Sequence, residues 1–188
     1  MKTYLFAAAL VLGAAMAGPL SAAPRTVVDP EAPRALQDTQ PVQVAWTDPA
    51  EFTELRHSRN RWEAERGDWV RQLAEHLQQG AAKVLPPGQR LEVLITDIKR
   101  AGDFEPWGGI SLRDVRIMRD VYPPRMSLQF TRYDAAGAVL DRGERKLVDL
   151  GYLTRSSFGT DALRYEKRLI DDWVRQDLGD AHAGTVKR

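Results

Sequence analysis

Groups able to bind or react with a ligand are concentrated in residues 97–109. This segment combines three glycines with three carboxylates and two aromatic rings, which are Asp97, Asp103, Phe104, Glu105 and Trp107. Aromatic rings on an exposed loop often mark a contact surface. The composition predicts a binding lip, in which both rings stack on a ligand and the acids at 103 and 105 pair with a cation. The alternative interpretation is that the rings fold back and fill the core.

The same carboxylates allow two other kinds of site. Asp97, Asp103 and Glu105 offer the oxygen ligands that calcium prefers, although their spacing matches no calcium-binding loop. Asp103 and Glu105 are also candidates for the paired carboxylates of a hydrolase that acts on an envelope polymer, and such a pair must lie a fixed distance apart. Both alternatives depend on how the fold places the side chains.

Arginine recurs through residues 113–125, at positions 113, 116, 119 and 125. A guanidinium can bind a carboxylate or a phosphate through two hydrogen bonds, so Arg116, Tyr122 and Arg125 are added to the candidate contact surface. The acids at 114 and 120 are equally available as partners. Internal ion pairs on a solvated face are the favoured interpretation, and anion binding is the alternative.

Sequence signatures of catalysis and metal binding are absent. The chain has no nucleophile-elbow serine, no phosphate-binding glycine loop and no His-Glu-x-x-His pattern. It has no cysteine, which excludes thiolate nucleophiles, thiolate zinc sites and disulfides. The sequence indicates no catalytic residue, no metal and no cofactor, and it favours a protein that is not an enzyme. A role of His57 as a ligand or base is the remaining alternative.

The first 22 residues have the layout of a secretory signal peptide. Lys2 precedes an apolar run at 4–17, and small residues follow up to Ala23. We expect cleavage after Ala22, or alternatively after Ala17. The run is shorter than the roughly 20 residues that span a membrane, and no cysteine is present to carry a lipid. The expected product is a periplasmic protein, or alternatively a secreted one, without a transmembrane or lipid anchor.

Charge is balanced along the chain. The sequence contains 27 Lys+Arg and 26 Asp+Glu, and Lys2 is the only charged residue within 1–22. The expected mature chain therefore has no formal net charge. A nucleic-acid binder, or a protein held on an anionic membrane by its charge, would show a basic excess. We therefore expect no nucleic-acid partner.

The elements that would position these groups alternate between strands and helices. Alternating apolar residues predict strands at 42–46, 90–98, 113–122, 126–130 and 139–150, with Gly143 as a candidate bulge. Residues 134–137 predict a hairpin turn. Apolar spacings of three and four predict helices over 68–85 and from 160 or 161 to 178, the second with its charges on a solvated face. We expect an α+β fold, mainly an antiparallel sheet of four to five strands with two main helices packed on one face.

These elements fit one domain with extended ends. Residues 23–41 contain four prolines without a sustained apolar period and predict a flexible tether. Residues 42–180 form the expected single globular domain. Residues 181–188 are expected to fray.

At these same segments the chain resembles a proteobacterial family of small exported proteins classed only as a domain of unknown function. The resemblance covers nearly the whole expected domain. It is carried by the strand 91–97, the stretches 101–107, 114–117, 120–125 and 163–167, and by Trp46, Asp48, Pro49, Phe52 and Trp173. It implies an exported, single-domain protein without an established activity, and it offers no catalytic residue to carry over.

Three functions remain open from the sequence. The leading hypothesis is a non-enzymatic periplasmic domain that binds an envelope protein or a small ligand, with a contact surface formed by Asp103, Phe104, Glu105, Trp107, Arg116, Tyr122 and Arg125. The second is a hydrolase that acts on an envelope polymer through Asp103 or Glu105. The third is an envelope-assembly subunit that docks edge strand to edge strand.

Overall fold

The structure, a computed structural model, describes residues 26–38, 41–155 and 159–179. It contains six strands, β1 (Val42–Trp46), β2 (Arg90–Lys99), β3 (Asp103–Phe104), β4 (Arg116–Ile117), β5 (Arg125–Tyr133) and β6 (Val139–Val148). The helices are α1 (Thr53–Arg56), α2 (Arg61–Glu65), α3 (Trp69–Val84) and α4 (Arg164–Trp173), which continues as a π-helix over Val174–Gly179. The main sheet has the order β1-β2-β5-β6, and β3 pairs with β4 separately. The predicted single α+β domain is confirmed.

The longest helix connects two parallel strands. β1 pairs with β2 from Val42 opposite Leu91 to Trp46 opposite Ile95. Parallel neighbours require a crossover, which α3 supplies. α3 and α4 contact each other, and their apolar stripes lie in one core with the inner face of the sheet. The buried residues of α3 have the predicted spacing: Val70, Leu73, Ala74, Leu77 and Ala81.

The hairpin between β5 and β6 forms where it was predicted, but Gly143 is not a bulge. Gly137 turns the chain with a φ of 85°. Gly143 instead pairs regularly with Phe130, and the irregularity lies at Arg132 and Tyr133. A Cβ at Gly143 would lie 3.0 Å from Arg145 Nη1 and 3.5 Å from the Phe130 ring. The glycine therefore leaves room for the Arg145 guanidinium to lie over the Phe130 ring.

The strand predicted over 113–122 is wrong for most of its length. Only Arg116 and Ile117 pair, opposite Phe104 and Asp103. Of the apolar residues in this alternation, Val115 and Val121 are exposed and Ile117 is half-buried, so they do not form a core face. The segment ends in a turn, in which the Tyr122 amide donates to the Arg119 carbonyl at 2.8 Å. Alternating apolar residues do not by themselves form a strand when the fold offers no apolar surface for them to pack against.

Residues 26–38 pack on the domain, although they lie in the stretch predicted as a tether. The Val27 side chain is buried in the main core, and its amide donates to the Glu65 carbonyl at 2.9 Å. The Leu36 amide donates to the Val44 carbonyl at 3.0 Å, so this segment covers the outer edge of β1. The predicted leader at 1–22 and the tail at 181–188 lie outside the described residues. In the described ranges, no helix combines the length and apolar character needed to cross a membrane.

Candidate functional site

A buried carboxylate forms the base of the site. Glu54 in α1 is 1% exposed. It accepts hydrogen bonds from Lys99 Nζ at 3.0 Å and Arg100 Nε at 3.2 Å, and also from the Arg116 guanidinium. These four residues, the Glu54 cluster, join α1, the end of β2 and β4. The cluster therefore fixes where the chain leaves the main sheet and begins the segment 101–117.

Electrostatics in the Glu54 cluster favour the ionised acid. Burial alone would raise the pKa of Glu54, but the positive charges of Arg116, Arg100 and Lys99 outweigh it and hold the pKa at about 2. The cations have further partners, since Lys99 Nζ donates to the Gly102 carbonyl at 3.1 Å and Arg116 Nη1 to the same oxygen at 3.0 Å. Within the part of the chain that the structure describes, all three cations of the cluster donate to a carboxylate or carbonyl oxygen of the same chain.

A second buried acid supports the turn that follows β2. Glu166 in α4 accepts a 2.6 Å hydrogen bond from the Ala101 amide. Burial raises the pKa of Glu166. The prediction that the charges of this helix lie on a solvated face is therefore wrong at Glu166, because the side chain turns inward to reach the backbone. Gly102 completes the turn at a φ of 75°, and a Cβ there would lie 2.8 Å from the Ile117 carbonyl oxygen.

The two carboxylates predicted to form a binding lip are each paired with an arginine of the same chain. Arg59 Nη1 donates to Asp103 Oδ2 at 3.0 Å. Arg119 Nη2 donates to Glu105 Oε2 at 2.7 Å, and the Tyr122 hydroxyl donates to Glu105 Oε1 at 3.1 Å. The hydrogen bond from Arg119 is the main reason that the pKa of Glu105 is lowered. The cation expected beside each acid is thus a residue of the same chain.

The two aromatic rings predicted to form the lip differ in burial. Phe104 is 3% exposed and lies below the Arg116 guanidinium, 4.7 Å from ring centroid to guanidinium carbon. Trp107 is 64% exposed. The Arg59 guanidinium carbon lies 5.0 Å from the Trp107 ring centroid and 5.9 Å from that of Tyr122. Phe104 is thus buried, as the alternative interpretation expects. Trp107 is exposed at the surface, with Arg59 packed against its ring.

Trp107 belongs to a loop of unusual composition. Residues 106–112, the tryptophan loop, have the sequence Pro-Trp-Gly-Gly-Ile-Ser-Leu, and all seven are exposed. The loop contains no charged residue in a chain where 28% of residues are charged. Ile110 is 88% exposed at its centre. Two short 3₁₀ turns, Pro106–Gly108 and Ile110–Leu112, give the loop its shape.

The segment between α1 and α2 holds this loop from one side. The Asn60 side-chain amide donates to the Arg113 carbonyl at 3.2 Å and to Asp114 Oδ1 at 2.8 Å. Together with Arg59 beside Trp107, this contact links the segment before α2 to both ends of the loop. Trp62, two residues further into α2, is 77% exposed.

Other candidates lie apart from the loop. Arg125 is exposed at the start of β5, opposite Lys99 on one side and Val148 on the other. Asp97 is engaged elsewhere, since its carboxylate accepts from the Thr53 amide and hydroxyl at 2.6 and 2.7 Å. The acids proposed for calcium do not converge, and in 26–38, 41–155 and 159–179 no three acidic or histidine groups cluster in a way that suits a metal.

Sequence reasoning missed the residues that position the loop. Glu54, Arg59 and Glu166 are each surrounded in sequence by other charges, and nothing in their spacing distinguishes them. The partners of Glu54 lie 45 to 62 residues further along the chain, and Glu166 lies 65 residues from Ala101. Only the tertiary fold brings these groups together, so no local pattern could have found them.

A family model described as "Protein of unknown function (DUF3016)" matches residues 40–176. A search of curated proteins finds no match. A search of solved structures also finds none. The match covers the four-stranded sheet, both main helices, the Glu54 cluster and the tryptophan loop.

Proposed function

The chain belongs to the DUF3016 family of proteins of unknown function, and we propose that it is a non-enzymatic binding domain of the cell envelope. Its contact surface is the tryptophan loop. One observation carries the proposal: an exposed, uncharged loop displays Trp107, Ile110 and Leu112 on a base in which arginines pair with buried carboxylates. Exposed apolar surface costs free energy in water, and contiguous patches of it commonly mark interaction sites.

The base of the loop supports binding because it is already ordered. Asp103 and Glu105 anchor the strand before the loop through Arg59 and Arg119. Trp107 therefore loses little conformational freedom when a partner covers it, and pre-organisation of this kind strengthens binding. Asp103 and Glu105 serve to position the loop, since each carboxylate already has an arginine partner.

The hydrolase alternative gains no support from this geometry. A general acid must hold a proton near neutral pH, which requires a raised pKa. The pKa of Glu105 is lowered instead, mainly by its hydrogen bond from Arg119. Asp103 is buried beneath Arg59. Neither carboxylate is placed to donate a proton to a substrate.

A photo-cross-linking residue in place of Ile110 tests the proposed function in cells. Illumination should produce covalent adducts of the protein with another molecule. A cross-linker at Leu140 is the control, because this exposed leucine lies beside Val139, opposite Tyr133, at the end of the sheet where β2 begins. The tryptophan loop follows the other end of β2. Equal adduct formation at 110 and 140, or none at either, contradicts the proposed surface.

We also propose that the domain works outside the cytoplasm. The support is the signal-peptide layout of residues 1–22. Mass spectrometry of the protein from a periplasmic extract should give a chain that begins at Ala23, or at Gly18 for the alternative cut. A chain recovered only from the cytoplasm with its first residues intact contradicts export.

A further inference from the structure

We propose that the tryptophan loop docks on a lipid bilayer, with Trp107, Ile110 and Leu112 inserted among the headgroups and the upper acyl chains. This inference rests on the proposed function, because it identifies what occupies the same surface. The alternative occupant, a pocket on another protein, is an outcome of the experiment below.

The size of the loop favours a bilayer. A stable protein–protein interface uses about 20–30 residues on each side. The uncharged surface consists of residues 106–112, and the next two residues, Arg113 and Asp114, are charged and exposed. A bilayer imposes no such minimum, because the free energy of insertion grows with each apolar side chain that leaves water.

The backbone of the loop suits an apolar environment. The Gly108 amide donates to the Glu105 carbonyl at 3.0 Å, and the Leu112 amide donates to the Gly109 carbonyl at 3.1 Å. These bonds close the two 3₁₀ turns. Unpaired amides are costly in a medium that cannot form hydrogen bonds. The internal bonds reduce this cost, and the residues without them limit insertion to the interfacial region.

Trp107 has the chemistry of an interfacial anchor. Its indole ring combines an apolar body with one polar N–H, and tryptophan is enriched where headgroups meet acyl chains for this reason. Arg59 lies over the ring and also donates to Asp103. This contact holds the ring at the base of the loop while most of its surface remains exposed.

Charge contributes little to this docking. The formal net charge of the whole chain is +1, and Arg113 and Asp114 beside the loop oppose each other. Attraction to anionic lipids is therefore weak, and insertion of apolar side chains is the main source of affinity. Such binding should persist when salt screens surface charges.

Tryptophan fluorescence of the full chain, mixed with vesicles of phosphatidylethanolamine and phosphatidylglycerol, tests the proposal. The five tryptophans are either buried (Trp46, Trp69 and Trp173) or exposed (Trp62 and Trp107). The first 25 residues contain none, so the emission reports on the domain and not on the leader. We expect a shift to shorter wavelength and quenching by lipids brominated on the acyl chain. Trp107→Phe should remove most of both changes, whereas Trp62→Phe should preserve them.

Partitioning of variants separates apolar insertion from other modes of binding. Ile110→Ser should reduce the vesicle partition coefficient by about tenfold, since a buried aliphatic side chain contributes that much. Leu140→Ser is the matched control and should leave it unchanged. Salt at about 0.5 M should change it by no more than about twofold.

The outcomes distinguish this inference from the proposed function. Unchanged emission and quenching with vesicles overturn the bilayer proposal. If the cross-linker at 110 then yields a protein adduct, the binding function stands and its partner is a protein. If it yields no adduct, both proposals fail.

Discussion

Glu54 shows how a single carboxylate can organise several elements. It is almost completely buried, and three cations surround it. Burial of an isolated charge costs many kcal/mol, whereas a paired and hydrogen-bonded cluster is tolerated. Loss of one member is more damaging than absence of the whole cluster, because the remaining charges stay buried without a partner.

Glu54→Gln is expected to lower the free energy of unfolding by about 3–5 kcal/mol, since Lys99, Arg100 and Arg116 would lose their shared acid. Urea denaturation followed by circular dichroism measures this. Glu63→Gln is the matched control, because Glu63 forms a partly exposed pair with Arg66 and should cost no more than about 1 kcal/mol. Similar midpoints for the two variants would show that the cluster is not a main determinant of stability.

Among the secondary-structure elements, those with strong periodicity could be predicted from the sequence. α3 and β2 follow from apolar spacings that match one face of a helix and one face of a strand. Residues 113–122 alternate in the same manner, yet only Arg116–Ile117 forms a strand. The pattern identifies an apolar face but not whether the fold provides a surface for that face to cover.

The proposed contact surface is predictable from the sequence only in part, for the same reason. The sequence marks Phe104 and Trp107 as unusual on a loop, but only the fold places Arg116 over the buried Phe104 ring and Arg59 over the exposed Trp107 ring. Arg59 lies 44 residues before Asp103. Pairings of this kind form only after the sheet has brought distant segments together, so neither ring could be assigned from its neighbours.

The segment before β1 yields a prediction at the level of an element. Val27 is buried in the main core, so Val27→Ala should reduce the free energy of unfolding by about 1–2 kcal/mol through the loss of two buried carbon groups. Chemical denaturation measures the change. Val139→Ala, at a half-exposed position, should alter it by less than about 0.5 kcal/mol. A Val27 variant as stable as the Val139 variant would indicate that residues 26–38 contribute nothing to the domain.

In the molecule as a whole, the buried acids Glu54 and Glu166 have opposite effects on how stability depends on pH. The folded-state pKa of Glu54 is about 2, below the ordinary value of 4.5, so this acid stabilises the fold above pH 4.5 and the contribution is lost as pH falls through 2. The raised pKa of Glu166 has the opposite sign. Its contribution is present below the ordinary value and is lost as pH rises through the folded-state pKa.

Thermal unfolding between about pH 2 and pH 7 tests this balance. We expect Tm to fall as pH decreases from about 5 to 2, and we expect a weaker dependence in this window for Glu54→Gln. Glu166→Gln should leave the acid limb intact and reduce any loss of stability above about pH 5, because the neutral amide has no proton to release. An unchanged acid limb in the Glu54 variant would assign the transition to other carboxylates.

The long sequence separations within the Glu54 cluster have a consequence for the order of folding. Glu54 meets Arg116 only after 62 more residues have been added, and Ala101 meets Glu166 after 65. Distant contacts slow folding, because chain closure must precede the interactions that reward it. We therefore expect the Glu54 cluster and the turn at Ala101 to reach their final geometry only after residues 116 and 166 are available. The tryptophan loop, which follows this turn, is then among the last parts of the molecule to become fixed.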